Sequence, residues 1–171
     1  MMIIEGSKVN LRTITDDDTD LIVKWRNNAR VFNNFVFSEK LTPQMHKEWL
    51  EEKVKTGLVK QFIIIERQTD IPIGSVYFRD IDKKNKTAEY GIFIGEDDAI
   101  GQGYGSETAE LALKYAFENV GLDKISLRVF KDNIAAIKSY EKVGFKFTNK
   151  EELVNKNGSE KQLVFMEIER K

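Results

Sequence analysis

Apolar and polar residues alternate along Val9-Asn10-Leu11-Arg12-Thr13-Ile14, the pattern of a strand with one buried face. Thr15-Asp16-Asp17-Asp18 then supplies a helix cap and an acidic first turn. The period switches to a helical one over Thr19–Asn27, which buries Leu21, Ile22 and Trp25 and ends at Asn27-Asn28. Arg30–Ser38 follows no period and reads as an irregular aromatic stretch, with Phe32, Phe35 and Phe37 among Asn33 and Asn34. Thr42-Pro43 caps a second helix, Gln44–Lys55, whose apolar side carries Met45, Trp49, Leu50 and Val54 and which ends before Gly57. Lys60–Arg67 and Ile71–Arg79 read as paired strands joined by Gln68-Thr69-Asp70, and the polar link Asp80–Lys86 leads into a further strand at Glu89. Beyond it come the helix Glu107–Asn119 stopped by Gly121, the strand Lys124–Phe130, and the helix Asn133–Val143 with Gly144 at its C′ position. Phe145–Thr148 and Gln162–Ile168 close the chain as strands around a turn containing Asn157-Gly158.

The order β-α-α-β-β-β-α-β-α-β-β is an α/β (α+β) mixture built on one sheet, with about four flanking helices. At 171 residues the chain reads as a single domain, 1–171, large enough to bury a core. Hydrophobic residues at 41% and charged residues at 32% are an ordinary globular balance. A net charge of −1 points away from nucleic acid, whose binders carry a basic excess. No apolar run approaches the ~20 residues of a membrane span, and Met1-Met2-Ile3-Ile4-Glu5 lacks the features of a signal peptide. A cytoplasmic location is expected. With no cysteine and one histidine, His46, thiolate chemistry is excluded and most zinc sites are too, so no metal is expected. His46 reads as an ordinary residue on a polar helix face.

The most informative stretch is Glu89–Ser106. A strand-like run, Glu89-Tyr90-Gly91-Ile92-Phe93-Ile94-Gly95, gives way to Ile100-Gly101-Gln102-Gly103-Tyr104-Gly105-Ser106. Three glycines at alternate positions leave backbone N–H groups bare. The helix that follows turns its positive dipole end toward the same place, so the loop reads as a pyrophosphate cradle. The spacing G-x-G-x-G fits neither a dinucleotide fingerprint nor a P-loop, which needs Lys-Ser/Thr where Ser106-Glu107 stands. Gly91 and Gly95 are costly inside a strand unless it bulges or another backbone approaches. A ligand carrying its own amides would satisfy that condition by adding itself as an extra strand.

Gly103-Tyr104-Gly105 and the run Asn133-Ile134-Ala135-Ala136-Ile137-Lys138-Ser139-Tyr140 together resemble the GNAT family of acetyl-CoA-dependent N-acetyltransferases. The resemblance covers most of the chain and implies one mixed, mostly antiparallel sheet with a central splay that receives pantetheine. Phe93, Ile94 and Gly95 fall where the family contacts that arm, with an oxyanion-binding N–H near Ile94. Gly101, Gln102, Gly103, Tyr104, Gly105 and Ser106 fall at the pyrophosphate loop. Ile100 departs from the family, which has Arg or Gln in that slot. Asn133 and Ala136 match positions that help hold acetyl-CoA.

Acetyl transfer requires that the amine lose a proton, that the oxyanion be stabilised and that the thiolate be protonated. Glu89 matches the position of the family's general base; a solvated carboxylate on an alternating strand is the plainer reading. Tyr140 matches the general acid, and a phenol of reference pKa ~10 against ~8.5 for a thiol holds its proton at neutral pH. A tyrosine packed at a helix end is the alternative. Trp25-Arg26-Asn27 with Phe35 resembles the acceptor segment of the RimJ/RimL-like branch, especially enzymes acting on nucleotide-linked amino sugars. An aromatic platform beside Arg26 suits a base and phosphates; helix-end core aromatics with a surface arginine are the plainer alternative. The expected partner is a small-molecule or peptide amine. Glu51, Glu52, Asp97 and Asp98 offer an acidic surface for a polyamine instead, and a ribosomal-protein N-terminus is a further acceptor class. A non-catalytic acetyl-CoA sensor remains a separate reading. The closing strand Gln162–Ile168 is a candidate edge for pairing two copies as a homodimer.

Overall fold

The strand periodicity is realised as one eight-stranded sheet in a computed structural model that describes residues 1–171. The strands are β1 (Ile3–Glu5), β2 (Val9–Thr13), β3 (Lys60–Glu66), β4 (Ile71–Asp82), β5 (Thr87–Ile94), β6 (Lys124–Phe130), β7 (Lys146–Lys156) and β8 (Ser159–Glu169). The helices are α1 (Thr19–Asn27), α2 (Ala29–Asn33), α3 (Pro43–Trp49), α4 (Tyr104–Tyr115) and α5 (Ile134–Val143). Both α3 and α4 continue as a wider π turn, over Leu50–Val54 and Ala116–Val120. The sheet order is β1-β2-β3-β4-β5-β6-β8-β7, antiparallel throughout except between β5 and β6. No helix is long and apolar enough to cross a membrane.

The parallel pair is short. Thr87, Ala88 and Glu89 lie opposite Lys124, Ile125 and Ser126, and pairing then stops. β5 stays bonded to β4 as far as Ile94, and β6 stays bonded to β8 as far as Phe130. The two strands therefore part beyond Glu89, and the mouth between them is the splay expected of the family.

Alternation along β4 and β5 then sorts the side chains to two sides. Val76, Phe78, Ala88 and Tyr90 face a large core closed by Ala109, Ala112 and Leu113 of α4 and Ile137 of α5. Phe93 and Ile63 face a smaller core with Ile22 and Trp25 of α1, Val31 of α2 and Leu50. Polar residues share this second side: Tyr77 lies opposite Gly91, and Arg79 opposite Glu89.

Three elements differ from expectation. Ile3–Glu5 adds an edge strand on β2. The aromatic stretch begins as α2, because the Asn28 side chain accepts from the Arg30 N–H at 3.0 Å and caps it. The closing hairpin is much longer than Phe145–Thr148 and Gln162–Ile168, turning tightly where Asn157 and Gly158 take φ of 54° and 82°. The homodimer edge is corrected by the same hairpin. Gln162–Ile168 lies inside the sheet, flanked by β6 and β7, so its backbone is already paired.

Candidate active site

The glycine loop leaves β5, passes a single 3₁₀ turn at Asp97–Ala99 and enters α4. Gly101 and Gly103 have φ of 76° and 83°, a left-handed conformation that a side chain would strain. The helix's own bonding begins only with the Glu107 N–H on the Gly103 carbonyl, at 3.3 Å. No backbone N–H from Gly101 to Ser106 donates to a backbone carbonyl. A Cβ added at Gly101 or Gly105 would meet nothing within 4 Å, and at Gly103 only the Lys8 Nζ at 3.0 Å. The result is a row of open amides at the positive end of a helix, the fit expected for a pyrophosphate.

Around this loop the side chains take roles that sequence did not show. The Lys8 ammonium donates to the Gln102 carbonyl at 3.4 Å, bringing a cation to the loop where Ile100 supplies none. Lys8 is itself held through its N–H, which donates to Glu107 Oε2 at 2.7 Å. The Tyr104 hydroxyl turns away to Glu66, and Ser106 meets Ser139 of α5 at 3.4 Å. Asn133 spends its carbonyl oxygen on the Ala136 N–H at 3.4 Å, as the cap of α5, and its amide on Asn34 at 3.4 Å. Ala136 packs against the large core.

On the splayed edge, parity decides which amides are open. Gly95 N–H donates to Ile73 O at 2.7 Å, toward β4. Successive residues alternate, so Ile94 and Ile92 turn their N–H groups toward the mouth and Phe93 does not. Ile92 was missed in the sequence because parity depends on the β4 register. Gly95 needs correcting as a pantetheine contact: its N–H is used, and the space of its missing side chain is filled by the Trp25 ring, 2.0 Å from an ideal Cβ. Gly91 is likewise covered by the Tyr77 ring at 2.3 Å. Aromatic rings, not a ligand backbone, explain both glycines. Phe93 is buried, its ring edge-on to Trp25 at 6.3 Å and to Phe35 at 5.6 Å.

Tyr140, on α5, packs edge-on against Tyr90 of β5 at 6.2 Å, beside the start of the mouth. Its hydroxyl makes no hydrogen bond within the protein, and unlike that of Tyr90 it is not sealed from solvent. Burial, with the Tyr77 phenol adding to it, pushes the Tyr140 phenol above its ordinary pKa, so it holds its proton. Glu89 sits where β5 and β6 part, with only 16% of its side chain exposed. One carboxylate oxygen accepts from Arg79 Nε and the other from Arg128 Nε, the latter at 2.6 Å. Both oxygens of the carboxylate are thus engaged by guanidinium groups. The pair to Arg128 also ties β5 to β6 at the point where their backbone bonds end.

The acceptor segment is only partly the one expected. Trp25 is fully buried and reaches nothing outside the core. Asn27 clamps Leu41, donating to its carbonyl and accepting from its N–H, both at 2.8 Å. Trp25 is thus corrected from an acceptor contact to a core residue, while Asn27 holds the loop at Leu41. Arg26 and Phe35 do come together, with the guanidinium 3.8 Å from the ring centroid. Two lysines that sequence did not single out stand beside them. Lys40 and Lys156 place their ammonium groups 4.4 and 3.9 Å from the centre of the Phe32 ring. Of the acidic residues, Glu51 is paired with Lys55 and Asp97 with Arg30.

His46 is 2% exposed rather than on a polar face. Its Nδ1 lies 3.0 Å from Thr19 Oγ1 and its Nε2 has no partner. Burial, then the nearby Arg26 charge, lowers its pKa from 6.5 to about 4, against a smaller opposing effect of Asp18 and Asp16. Below pH 6.5 the unfolded chain therefore takes up a proton that the folded chain refuses until about pH 4. Stability should be full above the unfolded pKa and fall across that window, by about 3 kcal/mol in all. Urea melts of wild type and His46→Gln at pH 7 and pH 4.5 check this: the variant should lose less on acidification, and equal losses would refute it.

A parallel strand pair that parts over a loop of open amides, with a tyrosine at the mouth, defines an acyltransferase architecture. Residues 8–146 match the model of the acetyltransferase (GNAT) domain, and the chain belongs to the GNAT family. It is an acetyl-transferring enzyme of that family. It is 34% identical over 148 residues to an uncharacterized protein of Methanocaldococcus jannaschii, aligning 85% of its own length with 30% of that protein. Acetyltransferase PseH of Campylobacter jejuni is 28% identical over 136 residues, which are 80% of this chain and 82% of PseH. The fold is also that of Vibrio cholerae spermidine N-acetyltransferase solved with CoA and spermine, with a TM-score of 0.88, 23% identity and 96% of each chain covered.

Proposed function

We propose that the protein transfers the acetyl group of acetyl-CoA directly to the primary amine of a small molecule, an amino sugar linked to a nucleotide. The observation that carries the cosubstrate is the run of unbonded amides from Gly101 to Ser106, where a Cβ at any of the three glycines would meet nothing but the Lys8 ammonium. When bound, acetyl-CoA supplies an acyl carbon already activated as a thioester. The Ile94 N–H, facing the mouth, stabilises negative charge on the acyl oxygen. Tyr140 donates its phenolic proton to the departing sulfur. Glu89 enters as a counter-charge shared by Arg79 and Arg128, and the proton of the attacking amine leaves through water.

Charge favours an anionic acceptor over a polyamine. Arg26 lies stacked on Phe35 without an ion-pair partner, whereas two of the four carboxylates suited to a polyamine are already neutralised by Lys55 and Arg30. CoA should raise the melting temperature by linkage. Gly103→Val should abolish that rise. Gly105→Val, which starts from an unstrained φ and open space, should do so without disturbing the fold. Retained stabilisation in both variants would overturn the loop assignment. CoA release over a panel of amines should favour a UDP-linked amino sugar. A preference for spermidine would move the acceptor to the polyamine class, and no release with any amine would leave a binding module.

A further inference from the structure

Three cations gather on two aromatic rings at the acceptor end, and none of them is in an ion pair. Arg26 lies over Phe35, and Lys40 and Lys156 lie over Phe32. Lys156 is the last residue of β7, only 4% exposed, and is fixed by donating to the Phe37 carbonyl. Lys40 is fixed by donating to the Asn27 carbonyl at 3.2 Å. The Arg26 Nε is sealed from solvent without an acceptor. Burial, followed by the charges of Arg26, Lys40 and Lys161, depresses the Lys156 pKa. Like charges brought together in partial burial raise the free energy of the folded state unless an anion joins them. The rings satisfy part of each cation through their faces, but they add no negative charge.

The location limits which anion. Phe35 packs on Phe93 of β5, and Arg30 donates to the Ile94 carbonyl at 2.9 Å, so this segment lies along the lip of the mouth. Lys156 reaches it from the far end of the sheet, on the hairpin β7–β8. We infer that this hairpin closes an anion subsite in the acceptor pocket, in which Lys156, Lys40 and Arg26 hold the diphosphate of a nucleoside-diphosphate acceptor. The subsite rests on the acceptor class proposed above and names the residues that would select it.

UDP serves as the probe. In wild type it should bind by calorimetry and inhibit competitively against the amino-sugar acceptor but not against acetyl-CoA. Lys156→Met keeps the aliphatic stem, and exposed Lys40→Met spares the core. Each should weaken UDP binding and raise the acceptor KM by about 10-fold, the usual worth of one charged hydrogen bond. The kcat and the acetyl-CoA KM should stay within about twofold, and the loss should shrink as salt rises. UDP binding equally to wild type and both variants would overturn the subsite, as would inhibition competitive with acetyl-CoA, which would give these cations to the cofactor. Calorimetry with UDP needs no turnover. Failure of the subsite is thus distinguishable from failure of the acetyltransferase reading, which loss of CoA binding in wild type would signal.

Discussion

Tyr140→Phe should lower kcat by about 10²-fold or more while leaving the Kd for CoA unchanged. A phenol that protonates the departing thiolate acts in the transition state and contributes little to the bound ground state. General acid catalysis contributes on the order of 10²–10⁴-fold. The substitution removes only an oxygen that has no hydrogen-bond partner in the protein, so the ring contacts with Tyr90 and Phe145 persist and the melting temperature should hardly move. Tyr115→Phe is the control, because Tyr115 is a core ring on α4, packed on Phe62 at 5.3 Å. It should be silent. Rapid-mixing experiments establish whether chemistry limits turnover. If it does and Tyr140→Phe keeps full activity, Tyr140 is a packing residue and water protonates the sulfur.

The elements were legible because their periods are clean, and the loop was legible because glycines at alternate positions next to a helix start have few other uses. What periodicity does not carry is which residues face each other across strands. Arg79 and Arg128 flank Glu89 from β4 and β6, and nothing local to Glu89 announces either. Its neighbours turn an apparent free carboxylate into a shared counter-ion. Lys156 meets Phe37 at a separation of 119 residues, so this member of the cation cluster was invisible along the chain. Trp25 and Asn27 stand in a helix-end pattern that suits a core residue and a loop clamp as well as a binding segment. Only burial separates those readings. The splay itself was implied by the family and not by alternation, since strand runs look the same whether or not their neighbour departs.

Gly95→Ala should lower the melting temperature by up to about 10 °C, and Gly91→Ala by a comparable amount. The Cβ added at Gly95 would lie 2.0–2.4 Å from three atoms of the Trp25 ring, which is wholly buried and has no room to retreat. At Gly91 it would lie 2.3–2.6 Å from the Tyr77 ring and hydroxyl. Overpacking a core of this kind costs about 1–3 kcal/mol, sometimes more. Against this, Gly→Ala stabilises by about 0.4–1 kcal/mol through the unfolded chain, too little to reverse the sign. A domain of this size loses about 2–4 °C per kcal/mol, which gives the stated range. Two causes for a glycine in this strand can be told apart this way. If a ligand's backbone needed the space, Gly95→Ala would melt like wild type and bind CoA poorly. If the ring needs it, stability falls, and Trp25→Leu should recover part of the loss in the double variant, because the two sites share one contact. Additive losses in that cycle would sink the packing account and return Gly95 to the cofactor side of the strand.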